Sequence, residues 1–344
     1  MRVEPLLRFP AQTPSEPGRA LNRTLIVRYE GGEAPAAAVA RLAAVAEVER
    51  ASPDGPLFAA DVPDDPFYPD QWAHDNQGQA VALHDGTLVG TPDADSDTDR
   101  AWDQTTGSSS VVIAIIDSGR RPGSSRIRRP RADGLRLRQQ RQRSQRRRHG
   151  TCCAGIALAR GDNAAGVAGV AWQSLLMPLK VLDDDGHATS AAAVVNGIVW
   201  AADHGADILS MSLGGYVPTS GLEDAVAYAY GQGCAIFCAA GNDNYAGLAY
   251  PAAYVNYTIP VGALSPCNDR KSPTTCDGED WWGSNHTTNC TFTPGVRIAT
   301  TDIRGGGGYS RNDYTMEFNG TSAAAPHAAG IGARSRAQSG ARAY

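Results

Sequence analysis

The sequence predicts an α/β fold built on a mainly parallel sheet, and three observations carry that prediction. Short apolar runs that end on polar residues read as buried strands: SSSVVIAIID (108–117), ADILSMSLGG (206–215) and GCAIFCAAGN (233–242). Between two of them AAAVVNGIVWAADHG (191–205) reads as a helix stopped by Gly205. Strands that alternate with helices pair in parallel, because each crossover returns the chain to the same edge of the sheet. Third, polar residues stand where such sheets carry function, at the carboxyl ends of strands: Asp117, Ser212 and Asn242.

The bulk numbers fit this class. With 344 residues, 42% of them hydrophobic, the chain can bury one large core and a small second one. Residues 1–21 form an N-terminal extension, and MRVEPLLRFP lacks the apolar centre of a signal peptide. Residues 22–62 predict a small lobe: TLIVRYE alternates like a strand, the alanine-rich stretch from Pro35 to Arg50 is a helix, and PLFAADV is a second strand. VPDDPFYPD (62–70), with three prolines, reads as a linker. Residues 65–344 form the large domain. No apolar run is long enough to cross a bilayer.

Cysteine usage points weakly to an oxidising compartment. Cys267 and Cys276 lie in one polar loop and could close a disulfide. Cys234 and Cys238 share a strand, where four residues span roughly 13 Å, too far for a mutual bond.

Three groups have the chemistry of a nucleophilic site: Asp117 in IAIIDSG, His149 in HGTCCAG and Ser322 in NGTSAAAPHAAG. A serine hydroxyl attacks only when a base takes its proton, and the base must be oriented by a third group. Asp117 would orient the imidazole of His149, which would take the proton of Ser322. Ser322 precedes an alanine run and so would start a helix, where the partial positive charge favours an oxyanion. Asn242 supplies a side-chain amide as an oxyanion donor, with the Ser322 backbone N–H as the second. His327 reads as a packing residue of that helix. Zinc on His149, Cys152 and Cys153 is rejected, since the three are crowded and no fourth ligand is evident. DADSDTD (93–99) reads as a solvated loop, lacking the glycine and terminal glutamate of a calcium hand.

Taken together and in order, IIDSG, HGTCCAG, SMSLGG, AAGN and NGTSAAAPHAAG resemble the successive motifs of subtilisin-like serine peptidases over about residues 65–333. The resemblance implies a three-layer α/β fold, endopeptidase activity, and a triad of Asp117, His149 and Ser322. It implies that protein or peptide substrate lies as an added strand along Ser212, Leu213 and Gly214, with Ala240 and Gly241 walling the pocket. Residues 22–62 are similar to the family's propeptide, an intramolecular inhibitor and folding aid. GDNAAGVAG resembles a family calcium loop through Asn163. No metal or cofactor for the chemistry, a monomer, no nucleic-acid or membrane partner, and secretion complete what the resemblance implies. The chain departs from the family at Cys152, where a histidine is usual.

Residues 120–148 stand apart. They hold thirteen arginines and one acidic residue, Asp133, while the remaining chain has 18 basic against 35 acidic side chains. An acidic body repels nucleic acid and anionic membranes. Read one base later with permitted codons, residues 123–147 become VHPGFADRVLTGYDFVNNDNDPNDG, the text the family would place before HGT, and residues 334–344 become a normal helix continuation. This predicts compensating frameshifts around 120–148 and an uncorrected one near Ala333, with a disordered arginine loop and truncated C-terminal helices. Three readings follow: a working endopeptidase, a catalytically impaired remnant of one, and an arginine-run nucleic-acid binder, the last without aromatic interleaving.

Overall fold

A computed structural model describes residues 2–5, 23–28, 35–52, 62–83, 86–119, 148–183, 190–303 and 308–340. The chain divides into two compact units, residues 1–59 and 60–344. The arginine run 120–147 and the predicted strand PLFAADV, except for its last residue, lie outside the described residues.

In the first unit, β1 (Arg2–Pro5) pairs antiparallel with β2 (Leu25–Arg28), and α1 spans Pro35–Ala43. Part of the expected N-terminal extension is thus a strand. The helix stops seven residues short of Arg50, continuing as turns such as Val45 N–H to the Leu42 carbonyl (3.1 Å). Leu42 and Val48 are only half-buried there and the rest are exposed. Alanine propensity alone does not prolong a short helix that gains no packing.

The second unit contains, in order, β3 (Ala80–Leu83), β4 (Gly86–Val89), α2 (Thr98–Trp102), β5 (Val112–Asp117), α3 (Arg148–Leu158), β6 (Leu175–Lys180), α4 (Ala191–Asp203), β7 (Ile208–Met211), α5 (Ser220–Gly231), β8 (Ala235–Ala239), β9 (Ile259–Leu264), β10 (Thr291–Pro294), β11 (Ile298–Thr301), β12 (Tyr314–Phe318) and α6 (Thr321–Ser339). Six strands form one sheet in the order β10-β9-β8-β7-β5-β6, with every described pairing parallel. β11 and β12 pair antiparallel beside it.

β5 shows why the sheet has three layers. All six of its residues are buried. Ile113 and Ile115 face one core, shared with Cys152, Ile156 and Leu158 of α3 and Ala323 to Ala333 of α6. Val112, Ala114 and Ile116 face the other, shared with Ile198 of α4 and Val226 of α5. Successive residues of a strand point to opposite faces, so an unbroken apolar run is what a strand covered on both sides requires.

Two expectations need correction here. VPDDPFYPD is not a free linker from Asp65 onward: Asp65 is buried, and Tyr68 packs in an aromatic cluster with Trp102 and Trp172. The helix carrying Ser322 is not cut at Ala333 but runs to Ser339, with Gly340 in the left-handed region behind it. Two arginines read as foreign text hold its end. The Nε–H of Arg334 donates to the Thr105 carbonyl (2.8 Å), and Arg336 pairs with Asp207 (2.6 Å).

Candidate active site

β5, β7 and β8 are adjacent, so their carboxyl ends bring Asp117, Ser212 and Asn242 to one edge of the sheet. Asp117 is the last residue of β5 and is buried; its Oδ1 accepts the Ser118 N–H at 2.6 Å. His149, on the first turn of α3, places Nδ1 2.8 Å from Asp117 Oδ2. The imidazole is one-quarter exposed and meets the Phe318 ring edge-on at 5.3 Å.

The position of His149 is set by the anchoring of α3. The Gly150 N–H donates to Ser118 Oγ (3.1 Å). The hydroxyls of Thr300 and Thr301 donate to the Cys152 and Thr151 carbonyls at 2.8 and 2.9 Å. Gly155 allows this close approach: a methyl group there would lie 2.2 Å from Thr301 Oγ1. Ser118, Thr300 and Thr301 were not singled out from sequence, and only spatial adjacency reveals them.

Ser322 is the second residue of α6. Its carbonyl accepts from Ser212 Oγ (2.9 Å) and from the Cys153 thiol (3.5 Å). Its own hydroxyl faces the Ser212 carbonyl at 3.5 Å, and among the described residues no hydrogen bond joins it to His149. Catalytic hydrogen bonds are commonly loose without substrate. The thiol of Cys153 lies 3.8 Å from both His149 Nδ1 and Asp117 Oδ2, under the imidazole. Cys152, by contrast, is buried in the apolar core.

Asn242 follows the end of β8, with its side-chain orientation fixed. Its Oδ1 accepts both the Thr321 N–H (2.9 Å) and the Thr321 hydroxyl (3.0 Å). The amide N–H₂ is thereby the end left for a ligand. Thr321 in turn accepts the Gly241 N–H (3.2 Å). Gly320, at φ +107, makes the turn that delivers Thr321 and Ser322, a conformation side chains resist.

Ser212 is buried, Leu213 half-buried, and Gly214 exposed with its backbone at the surface. Ala240 is buried and Gly241 half-buried. The segments that follow Gly214 and Gly241 are linked, since the Tyr216 hydroxyl donates to Asp243 and Asn285 Nδ2 donates to Tyr216.

Electrostatics favour a charged imidazole. Burial is the largest influence and works against the imidazolium, but the charges and hydrogen bonds of Asp117 and Cys153 together raise the His149 pKa well above its ordinary value. Burial raises the Cys153 pKa, so this group is a neutral thiol at physiological pH. His327, with its pKa driven down by burial, is neutral and packs against His74 at 5.4 Å, its Nε2 2.6 Å from Ser96 Oγ.

A second polar cluster surrounds Asn163. Asp65 Oδ2 accepts the Asp162 N–H and Asp64 Oδ1 accepts the Ala164 N–H, both at 2.6 Å. Asp65 Oδ1 and Asn163 Oδ1 are buried and have no hydrogen-bond partner among the described residues. Burial, with the neighbouring carboxylates, raises the Asp65 pKa to about 6. Two orphaned buried oxygens and a reluctant carboxylate suit a hard cation. The 93–99 loop satisfies itself instead, Asp95 accepting the Asn76 and Asp97 N–H groups.

The chain is similar to known proteins. A family model for the subtilase family matches residues 108–341. Thermitase of Thermoactinomyces vulgaris is 40% identical over 183 residues, 53% of this chain and 59% of that protein. A thermophilic serine proteinase of Bacillus sp. (strain AK1) is 35% identical over 242 residues, 69% of this chain and 54% of that protein. Subtilisin DY of Bacillus licheniformis is 38% identical over 189 residues, 54% of this chain and 62% of that protein. The chain thus spans little more than half the length of these relatives. Among solved structures, one titled as proteases from Pseudoalteromonas arctica PAMC 21717 aligns with TM-score 0.58 at 26% identity, covering 80% of this chain and 86% of that one.

Proposed function

The chain belongs to the subtilase family, and from that premise we propose that it is a serine endopeptidase whose triad is Asp117, His149 and Ser322. The observation that carries the reading is the 2.8 Å bond from His149 Nδ1 to Asp117 at the sheet edge where Ser322 opens a helix. Asp117 accepts a hydrogen bond from Nδ1–H, holding the tautomer that leaves the Nε2 lone pair to take the proton of Ser322. The serine oxygen adds to the scissile carbonyl. The new oxyanion receives hydrogen bonds from the Asn242 amide and the Ser322 N–H, aided by the helix N-terminus. The imidazolium then protonates the leaving amine, and water repeats the sequence on the acyl-enzyme. Peptide lies as an added strand on Ser212, Leu213 and Gly214, against Ala240 and Gly241. No separate cofactor enters the chemistry.

The test is covalent labelling. A fluorophosphonate should label the folded chain at one site, and Ser322→Ala should abolish the label. One observation favours a second reading, an impaired remnant: the Ser322 hydroxyl faces Ser212 rather than His149. Folded protein that takes no label would establish that reading and overturn the first.

A base must be neutral to accept a proton, so the raised His149 pKa has a kinetic consequence. The acid limb of kcat/KM should fall above pH 6.5, with activity rising as pH passes through the folded pKa; an acid limb below 6.5 would contradict it.

We propose a structural calcium ion held by Asp65 and Asn163, supplying stability and no chemistry. The raised Asp65 pKa means that, without a cation, this group costs stability progressively as pH rises from its ordinary value of 3.8 through about 6, and in full above that. Calcium at a hundredfold excess over its Kd should add about 2.7 kcal/mol. The measurement is Tm at pH 7.5 with calcium and with chelator: a rise of several degrees in the natural chain, and none in Asp65→Asn.

An oxidising, extracellular setting agrees with the Cys267–Cys276 disulfide. No helix among the described residues is long and apolar enough to cross a membrane. We place residues 22–62 as a propeptide that folds and inhibits the enzyme, and we take the mature enzyme to act as a monomer.

A further inference from the structure

The loop between β9 and β10 carries a buried polar network that reaches the nucleophile turn. Cys267 and Cys276 are joined across it. Lys271, fully buried, pairs with Asp277 (2.8 Å) and donates to the Glu279 carbonyl (2.6 Å). The Glu279 N–H donates to Asp277 Oδ1 (3.1 Å). The backbone of Glu279 is therefore held from both sides, and its side chain is 2% exposed.

Three donors converge on that carboxylate. Arg297 Nε–H donates to Oε1 at 2.6 Å, and Trp282 Nε1–H to Oε2 at 2.7 Å. The Asn319 amide lies 2.9 Å from both oxygens. Asn319 is clamped at its other end as well, since its Oδ1 accepts the Arg297 N–H at 2.6 Å. Asn319 stands three residues before Ser322. The intervening Gly320 N–H donates to the Gly295 carbonyl (2.9 Å), and the Thr321 N–H to Asn242. A displacement at Asn319 has few places to be absorbed before it reaches both the nucleophile and the amide that faces the oxyanion.

We propose that Glu279 is a positioning residue: through Asn319 it fixes the turn that presents Ser322 and its N–H. The inference rests on the endopeptidase reading for its kinetic part only. The carboxylate is required because an amide has one acceptor oxygen, and three donors meet here. In Glu279→Gln at least one donor faces another donor, and Arg297, 7% exposed, keeps among the described residues only the exposed Glu317, at 3.4 Å, as an ionic partner. An error near 1 Å in a nucleophile's placement costs on the order of a hundredfold in rate.

The experiment uses the full chain with active sites titrated by fluorophosphonate. Glu279→Gln should lower kcat per titrated site at least tenfold with KM within threefold. Backbone amide exchange in the 319–323 segment should speed at least tenfold. The double variant Glu279→Gln with Asn319→Asp returns a carboxylate to the pair and an amide to face it. The exchange repairs the contact at 319 while one of Arg297 and Trp282 still faces the new amide, so it should recover at least threefold of the loss in both readouts, whereas a residue that merely stabilises the loop would gain nothing from the exchange. Per-site kcat and exchange both within twofold of the natural chain, with any loss confined to Tm or to active fraction, would overturn the proposal. If the natural chain takes no label, the endopeptidase reading fails separately, and the exchange measurement alone decides the role of Glu279.

Discussion

Ser322→Ala should lower kcat on a peptide anilide by about 10⁶-fold, a magnitude known from subtilisin and carried over by kinship. The loss is expected to be this large because the triad acts as a unit: without the hydroxyl there is no oxygen to form the acyl-enzyme, and His149 has nothing to deprotonate. Folding should be untouched. The Ser322 side chain contributes one long contact, to the Ser212 carbonyl at 3.5 Å, while the backbone of the turn is held by Asn242, Ser212 and Cys153. The variant should therefore keep the Tm of the natural chain and still bind peptide. Residual turnover within tenfold of the natural chain would mean that another group is the nucleophile.

The second large effect concerns Asn242. Replacement by alanine should lower kcat about 10²–10³-fold with little change in KM, again a figure drawn from subtilisin. The amide N–H₂ meets charge that exists only after attack, so its removal weakens the transition state rather than the bound substrate. Alanine also deletes the acceptor used by Thr321. Asn242→Asp separates the two roles. It keeps Oδ1 for Thr321, preserving Tm, but offers no N–H₂ and places a carboxylate beside the oxyanion, so kcat should fall at least as far. Steady-state kinetics and thermal unfolding of both variants provide the check. Unchanged kcat in Asn242→Asp would remove the amide from the mechanism.

The parts of this fold readable from sequence are those set by local pattern. SSSVVIAIID announces a doubly covered strand because Val111 to Ile116 are all apolar, and Asp117, buried with them, is conspicuous as the first polar residue to end the run. NGTSAAAPHAAG announces a helix start because small residues follow a glycine turn. What escaped depends on partners far along the chain. The burial of Asp65 comes with the Asp162 N–H bonded to its carboxylate, 97 residues on. The final turns of α6 looked like foreign text, yet Arg336 finds Asp207 and Arg334 finds Thr105. Arginine is costly to bury alone and tolerable once satisfied, and only the tertiary structure supplies the partners. Glu279 escaped for the same reason: nothing near it in sequence announces Asn319.

The anchoring of α3 bears on how the imidazole is aimed. His149 is referred to β5 through Asp117 and Ser118 and to β11 through Thr300 and Thr301. The ring is thereby triangulated from two strands that belong to different sheets, so a substitution that slides one strand against the other should rotate the imidazole before it unfolds the domain.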